Sequence, residues 1–269
     1  MAFKKPANPS FLELASPNTW PKSISLLNWM NYWYPKICDA VGIDQTTDYD
    51  AMKWALNETL KPSVNIESTK KQYSHDNAII FAPSHPIIPN FLLTQPNTLI
   101  IASEAVTGLL LKKGIVPHFI TSDLDSNFSD LILAGSKGSI LAIHVHGDNK
   151  DKIKGFFSNP ETKNISFFFT TQTVPINDFV NILGFTDGDR AAFLGYFLGV
   201  NRIYLSGFEL DSEPVNKMIE PSFFKEWYSK KKIKLEIAKV LLCWLSNFVN
   251  VVDLNHTTKW FDQCRISLY

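Results

Sequence analysis

Cysteine and net charge are both scarce in this chain. Its three cysteines, Cys38, Cys243 and Cys264, are widely spaced and odd in number. This pattern suggests neither a disulfide framework nor a zinc site, so we expect reduced and mostly buried thiols. The 26 Lys and Arg residues balance the 26 Asp and Glu residues. Dedicated nucleic-acid binding usually leaves a basic surface, and we therefore expect no nucleic-acid partner.

The chain also lacks an unbroken apolar segment. Its longest uncharged stretch lies between Asp76 and Glu104, where prolines interrupt it at positions 83, 86, 89 and 96. Because proline breaks helices, we expect no membrane helix and no membrane partner. Residues 1–10 lack the apolar core of a signal peptide, which predicts a cytoplasmic protein. A homo-oligomer is compatible with these features.

Two nucleotide-binding motifs are absent as well. The sequence has no G-x-x-x-x-G-K-[ST], which excludes a P-loop. It has no G-x-G-x-x-G after a strand, which argues against a dinucleotide-dependent oxidoreductase. No Cys, Ser or Lys stands out in a known nucleophile motif, so the sequence does not favour covalent catalysis.

What the chain does have is enough apolar sequence for a large core, with 45% hydrophobic and 13% aromatic residues. Residues 23–61 show the apolar spacing of helices, and Thr47 or Asp48 is the expected cap of a second helix there. An aromatic stripe in this part favours helix packing over a substrate wall, and it comprises Trp20, Trp29, Trp33 and Tyr34.

From residue 77 onward, short β-rich apolar runs alternate with helical stretches. The runs are almost continuously apolar, which is typical of strands buried on both faces. The predicted strands are 78–82, 98–102, 118–121, 140–144, 165–170, 203–205 and 248–252, and the predicted helices are 104–113, 127–134, 148–156, 187–198 and 224–245. We therefore predict an N-terminal helical segment over residues 1–76 and, over residues 77–269, an α/β domain with a mostly parallel sheet and helices on both faces. The basic stretch Lys225–Lys234 is interpreted as the solvated start of the last helix.

Polar residues follow five of the predicted strands. The carboxyl ends of parallel strands share one edge of the sheet, and ligands bind there. We therefore expect one site built from the residues at the ends of these strands, which are 103–104, 121–126, 144–149, 170–172 and 206–209.

Asp123-Leu124-Asp125 is the sharpest of these elements. In an extended segment, residues i and i+2 project to the same side, so the two carboxylates would need a cation between them. Mg²⁺ suits such a site because it combines a few carboxylates with water and phosphate oxygens. Asp148 is a further candidate ligand, and His146 beside it is a candidate phosphate contact. The alternative is that these acids are solvated or cap the following helices.

A third element, Gly184 to Arg190, precedes a predicted helix whose N-terminus would favour phosphate. Arg190 offers a bidentate donor, and Asp187 or Asp189 would bind metal or orient Arg190. The alternative is a turn with an Asp cap. Acids, one Arg and several hydroxyls together suit phosphoryl or diphosphoryl transfer, which depends on positioning and charge neutralisation.

Four segments resemble those of a known family in their order and approximate spacing. Residues 114–117, 121–125, 144–149 and 184–191 resemble the archaeal 6-hydroxymethyl-7,8-dihydropterin diphosphokinase family. The S-D-L-D-S run at 122–126 is also similar to the acidic motif of thiamine diphosphokinases. There is one departure, since the family typically has Asp-Gly where this chain has Glu104-Ala105 after Ser103.

The resemblance implies a Mg²⁺-dependent enzyme that moves the terminal diphosphate of ATP to a pterin hydroxymethyl group and releases AMP, in pterin cofactor synthesis. It implies Asp123, Asp125 and Asp148 as metal ligands. We assign catalytic roles to Asp123, Asp125, Asp189 and Arg190. Substrate contacts are expected from Ser103, Glu104, Ser122, His146, Gly147, Asn149, Thr171, Gln172, Thr186, Asp187 and Gly188.

The same residues are compatible with three other functions. A thiamine diphosphokinase shares the acidic motif and the reaction type. A metal-dependent sugar-nucleotide glycosyltransferase would also carry a D-x-D motif. The departure at Ser103-Glu104 supports a third alternative, a non-catalytic nucleotide-binding relative.

Overall fold

The computed structural model describes residues 17–58, 61–73, 75–126, 128–211, 221–255, 264 and 266–268. Within these residues one sheet contains β1 (Asn77–Phe81), β2 (Thr98–Ser103), β3 (Phe119–Ser122), β4 (Ile140–His144), β5 (Phe167–Thr170), β6 (Arg202–Ser206), β7 (Asn250–Asp253) and β8 (Ile266–Leu268). The helices are α1 (Leu26–Asn28), α2 (Tyr34–Val41), α3 (Gln45–Asn57), α4 (Ile66–Gln72), α5 (Asn90–Leu93), α6 (Thr107–Lys112), α7 (Phe128–Ser136), α8 (Lys150–Ser158), α9 (Asp187–Phe197) and α10 (Pro221–Leu245). A π-helical turn, Trp29–Trp33, joins α1 to α2.

The strands lie in the order β5-β4-β3-β2-β1-β6-β7-β8, and every neighbouring pair is parallel. The chain builds outward from β1 to β5, then returns to the other side of β1 to form β6. Strand order thus reverses between β1 and β6. In open parallel sheets a crevice forms at this point, outside the carboxyl ends of the strands.

Helices cover both faces of the sheet, as predicted. Alternate residues of β1 enter two separate buried clusters, with Ala78 and Ile80 in one and Ile79 and Phe81 in the other. Such a strand is apolar at every position because neither of its faces meets water. The near-continuous apolar runs in the sequence have this cause.

The N-terminal helices share their core with the sheet. Trp29, Trp33 and Tyr34 are fully buried, and the Trp33 ring centroid lies 5.2 Å from that of Trp244 in α10. The aromatic stripe is therefore helix packing, as predicted. The predicted cap is wrong, because α3 begins at Gln45 and the side chain of Asp44 accepts the Thr46 N–H at 2.9 Å.

The expectation of three reduced thiols is also wrong. Cys38 is free and buried, but Cys243 and Cys264 form a disulfide with a Cα–Cα distance of 5.1 Å. These two cysteines precede the neighbouring parallel strands β7 and β8, whose first residues lie at the same edge of the sheet. Their separation of 21 residues in sequence hides this proximity.

Some short elements went unpredicted. Helices α4 and α5 and strand β8 contain between three and seven residues, too few to give a clear period. None of the helices in the described part of the chain combines the length and the apolar character needed to cross a bilayer.

Candidate functional site

A cavity of about 720 Å³ opens at the carboxyl edge of the sheet. Segments that follow β1, β2, β3 and β6 form its floor and sides, together with the start of α9 and one face of α10. The cavity therefore spans the point where strand order reverses, which is where the topology alone places a ligand.

Three carboxylates meet in this cavity. Glu104 follows β2, Asp123 follows β3 and Asp187 is the first residue of α9, and one oxygen from each lies within 4.8 Å of the others. Carboxylate oxygens are the ligands that Mg²⁺ and Ca²⁺ prefer. This set differs from the predicted metal ligands Asp123, Asp125 and Asp148, with which it shares only Asp123.

Crowding of these acids changes their ionisation. Burial raises the pKa of Asp187 well above its ordinary range, and the charge of Asp123 raises it further, whereas Arg190 lowers it. Burial also raises the pKa of Glu104, although hydrogen bonds from Ser122 and Ser126 act in the opposite direction. A bound cation would favour the charged form of both carboxylates.

Glu104 also shapes the acidic loop after β3. Its Oε2 accepts the Ser122 hydroxyl at 2.6 Å and the Asp125 N–H at 3.2 Å, and its Oε1 accepts the Ser126 N–H. The hydroxyl of the neighbouring Ser103 is buried at the cavity wall and has no hydrogen-bond partner among the residues that the structure describes. A buried hydroxyl without a partner costs free energy, so a ligand oxygen at this point would satisfy it.

The expected geometry of Asp123-Leu124-Asp125 is wrong. Leu124 has a φ of 62°, in the left-handed region, and its side chain is buried. The segment is therefore bent rather than extended, and of its two carboxylates only that of Asp123 belongs to the cluster. Asp123 joins the acidic cluster, while Asp125 stays 55% exposed at the cavity rim and pairs with Lys152.

The turn at 146–149 supports the cluster from behind. The Asn149 side-chain amide donates to the carbonyl of Asp123 at 3.0 Å and to that of His144 at 2.7 Å, which ties two strand ends together. His146 Nε2 lies 3.9 Å from Asp123 Oδ2, and burial lowers the pKa of His146. Asp148 is exposed and does not border the cavity, so the structure does not bring it to the cluster.

Thr171 and Gln172 are buried away from the cavity. The Gln172 side chain donates to Asp48 Oδ2 at 2.6 Å, and its carbonyl accepts the indole N–H of Trp29 at 2.7 Å. Asp48 also accepts from the Tyr34 hydroxyl at 2.7 Å. Gln172, predicted as a substrate contact, therefore joins the N-terminal helices to the sheet.

Asp48 was predicted only as a possible helix cap, whereas its carboxylate is buried among hydrogen-bond donors from distant segments. Its Oδ1 accepts the N–H of Gly147 at 3.1 Å, so an N-terminal helix holds the turn beside His146. An acid in an amphipathic helix looks solvent-exposed in sequence, and only the fold reveals its buried partners.

The start of α9 separates two acids that the sequence treats alike. Asp189 is fully buried and accepts the N–H groups of Phe185 and Thr186 at 2.7 and 2.8 Å, so it caps the helix. Arg190 is also buried, and it donates to Asp187 Oδ1 at 3.3 Å and to the Phe185 carbonyl at 2.9 Å. Neither residue borders the cavity.

The three remaining predicted contacts from this region do border the cavity, namely Thr186, Asp187 and Gly188. Ser122 is fully buried and donates its hydroxyl to Glu104. Of the residues predicted to touch substrate, those after β2 and at the start of α9 therefore border the cavity. Those after β4 and β5 do not border it.

The sequence matches known proteins over this same region. The family model for 6-hydroxymethylpterin diphosphokinase MptE-like proteins matches residues 55–213. The chain belongs to this MptE-like family. A 6-hydroxymethyl-7,8-dihydropterin pyrophosphokinase of Methanothermobacter thermautotrophicus is 32% identical over 225 residues, which are 81% of this chain and 93% of that protein.

Two further relatives carry the same name. The Pyrococcus furiosus protein is 40% identical over 150 residues, covering 55% of this chain and 62% of the relative. The Methanocaldococcus jannaschii protein is 28% identical over 234 residues, covering 81% and 95%. The prediction of this family, and of an enzyme of the diphosphokinase class, is thus confirmed.

The MptE-like match includes all three clustered carboxylates but ends before α10. From that helix Lys231 and Lys234 border the cavity, and sequence reasoning missed both. Their spacing of three residues within the basic stretch was the available signal, because residues i and i+3 share one helix face.

Proposed function

We propose that this protein transfers the terminal diphosphate of ATP to the hydroxymethyl group of 6-hydroxymethyl-7,8-dihydropterin and releases AMP, in a Mg²⁺-dependent step of pterin cofactor synthesis. The observation that carries this proposal is the meeting of Glu104, Asp123 and Asp187 within 4.8 Å at the cavity. The names of the relatives support the pterin acceptor.

The donor set fits Mg²⁺. Three carboxylates from three separate segments converge, and the raised pKa values of Asp187 and Glu104 reflect burial and mutual repulsion that a cation would offset. Glu104, Asp123 and Asp187 would hold the ion, and when bound it would neutralise charge on the phosphate oxygens.

The transfer forms one covalent bond and breaks another. The acceptor hydroxyl oxygen bonds to the β-phosphorus of ATP, the bond from that phosphorus to the oxygen bridging to the α-phosphate breaks, and the hydroxyl proton is released. AMP leaves with the electron pair of the broken bond. Because such transfer needs positioning and charge stabilisation rather than a covalent enzyme intermediate, the absence of a nucleophile motif is consistent with it.

The cavity has the size of a small-molecule site and two chemically different sides. Its volume of about 720 Å³ lies within the common range for small-molecule sites. The acidic cluster occupies one side, and the segments after β1 and β6, including His85 and Glu209, occupy the other. We place the donor phosphates at the cluster and the acceptor at the second side.

Product analysis by mass spectrometry tests this proposal. The protein is incubated with ATP, Mg²⁺ and either 6-hydroxymethyl-7,8-dihydropterin or thiamine, with EDTA as a metal-free control. We expect AMP and the pterin diphosphate, in equal amounts and only with metal. Formation of ADP, exclusive turnover of thiamine, or ATP binding without any turnover would each contradict the proposal.

A further inference from the structure

Helix α10 presents one face to the acidic cavity. Lys231, Lys234, Leu235 and Ala238 border the cavity, and their spacing of i, i+3, i+4 and i+7 places them on one side of a helix. Lys232, one residue away, points elsewhere and lies over the ring of Tyr228 at 6.0 Å. The approach of Lys231 and Lys234 to the cavity is therefore specific to this face.

These lysines face a wall of opposite charge. Glu104, Asp123 and Asp187 lie across the same cavity, whereas the buried Arg190 is engaged by Asp187 and the Phe185 carbonyl. Among the described residues that border the cavity, Lys231 and Lys234 are the Lys or Arg side chains. A triphosphate brings several negative charges into a site that already holds carboxylates, so it needs cations besides the metal ion.

The charges of the acidic cluster affect the pKa of Lys231. The cavity walls lower the pKa of Lys231 by desolvation, and the charge of Lys234 lowers it further, whereas Asp187, Asp123 and Asp125 raise it. Solvent still reaches the lysine because the cavity is open. Lys231 is therefore an exposed side chain of the cavity wall that lies within the electrostatic influence of the acidic cluster.

We propose that Lys231 and Lys234 bind the β- and γ-phosphates of the donor nucleotide, so that α10 supplies the cationic half of the triphosphate site. This assignment rests on the proposed function. It explains why a helix that also fills the core carries a basic face over the acidic cluster, where a purely solvated helix start would need no such orientation.

Calorimetric titration with α,β-methylene-ATP and Mg²⁺ tests the assignment, because diphosphate transfer cannot cleave the methylene bridge of this analogue. We expect K231M and K234M each to weaken its binding by about tenfold or more, as for loss of a charged hydrogen bond. Binding of AMP, which lacks both phosphates, should change by less than about twofold. K231R should retain most of the affinity because it keeps the charge.

The matched control is K232M, which removes the same charge from the same helix outside the cavity. It should leave analogue binding within about twofold of wild type. Analogue affinity of the wild type should also fall more steeply with added salt than that of K231M. Neither response would follow from a purely structural role of Lys231.

The assignment is overturned if K231M and K234M bind the analogue as the wild type does, if K232M weakens binding equally, or if K231R binds no better than K231M. A wild type that binds the analogue through Lys231 but transfers no diphosphate to pterin contradicts the proposed function alone. Transfer by the wild type with unchanged binding in both lysine variants contradicts the lysine assignment alone. A wild type that binds no Mg²⁺-triphosphate contradicts both.

Discussion

Nη1 of Arg190 lies 3.3 Å from Oδ1 of Asp187, one turn apart at the start of α9. Arg190 also donates to the carbonyl of Phe185, and its side chain is only 3% exposed. The guanidinium thus stands behind the acidic cluster, and its charge lowers the pKa of Asp187 against the effect of burial. Arg190 serves the cavity through Asp187.

Replacing Arg190 with Met should therefore weaken Mg²⁺ binding in a pH-dependent way. Without the guanidinium the pKa of Asp187 rises further, so a larger share of the carboxyl stays protonated and cannot bind metal. We expect a loss of about tenfold or more near neutral pH, partly recovered at higher pH. Mg²⁺ titrations at several pH values measure this. Arg202→Met removes an exposed Arg at the opposite edge of the sheet, and an equal effect there would contradict the prediction.

Asp123→Asn and Asp148→Asn distinguish the two candidate sets of metal ligands. Asp123→Asn should lower the Mg²⁺-dependent rate by about 100-fold or more, because it removes charge from a preorganised site. Its free energy of unfolding should change by less than about 1 kcal/mol. Asp148 is exposed and outside the cavity, so we expect less than about a threefold change in rate on its replacement. A larger loss with Asp148→Asn would restore the set predicted from sequence.

Asp187 should make the metal-free protein less stable as pH rises. Its pKa in the folded protein lies well above the ordinary value, so the folded chain still holds a proton that the unfolded chain has lost. The stabilisation is complete below the ordinary pKa of about 4 and disappears as pH rises towards the folded-state pKa. Asp187→Asn should remove this loss and raise the melting temperature in EDTA at neutral pH. Melting curves across pH measure it, with the exposed Asp151→Asn as control, and parallel curves for wild type and Asp187→Asn would refute it.

Asp189→Ala should act on stability before it acts on catalysis. The buried carboxylate caps α9 through the N–H groups of Phe185 and Thr186, and losing the cap leaves both donors without a partner. We expect the free energy of unfolding to fall by about 2 kcal/mol or more. Urea denaturation measures this change. Full stability combined with lost turnover would instead support the catalytic role predicted from sequence.

Much of the fold could be predicted from the sequence because parallel strands buried on both faces appear in it as uninterrupted apolar runs. The run at Ala78 to Phe81 is apolar at each position since its alternate residues face two different cores. The edge that carries the site also followed from topology. Ser103, Asp123 and Asp187 all border the cavity, as residues at strand ends or helix starts should.

The choice of ligands did not follow, because it depends on local backbone geometry. Leu124 adopts a left-handed conformation, and only Asp123 of the two flanking acids joins the cluster. The residue types in this segment do not predict that conformation. Asp187 and Asp189 are two residues apart in one acidic segment, yet the turn of the helix directs one to the cavity and buries the other. Long-range contacts, such as that between Asp48 and Gly147, which lie 99 residues apart, likewise cannot be predicted from the sequence.

Helix α10 connects the buried core of the protein to the lysines that border the cavity. Leu241 and Trp244 are buried in the shared core, and Lys231 lies ten residues before Leu241 on the same helix, about 15 Å away along its axis. Because a helix moves as a nearly rigid element, a tilt of its buried end also displaces the residues at its other end. Repacking beneath Leu241 or Trp244 would therefore shift both amines relative to the acids without altering any residue of the cavity.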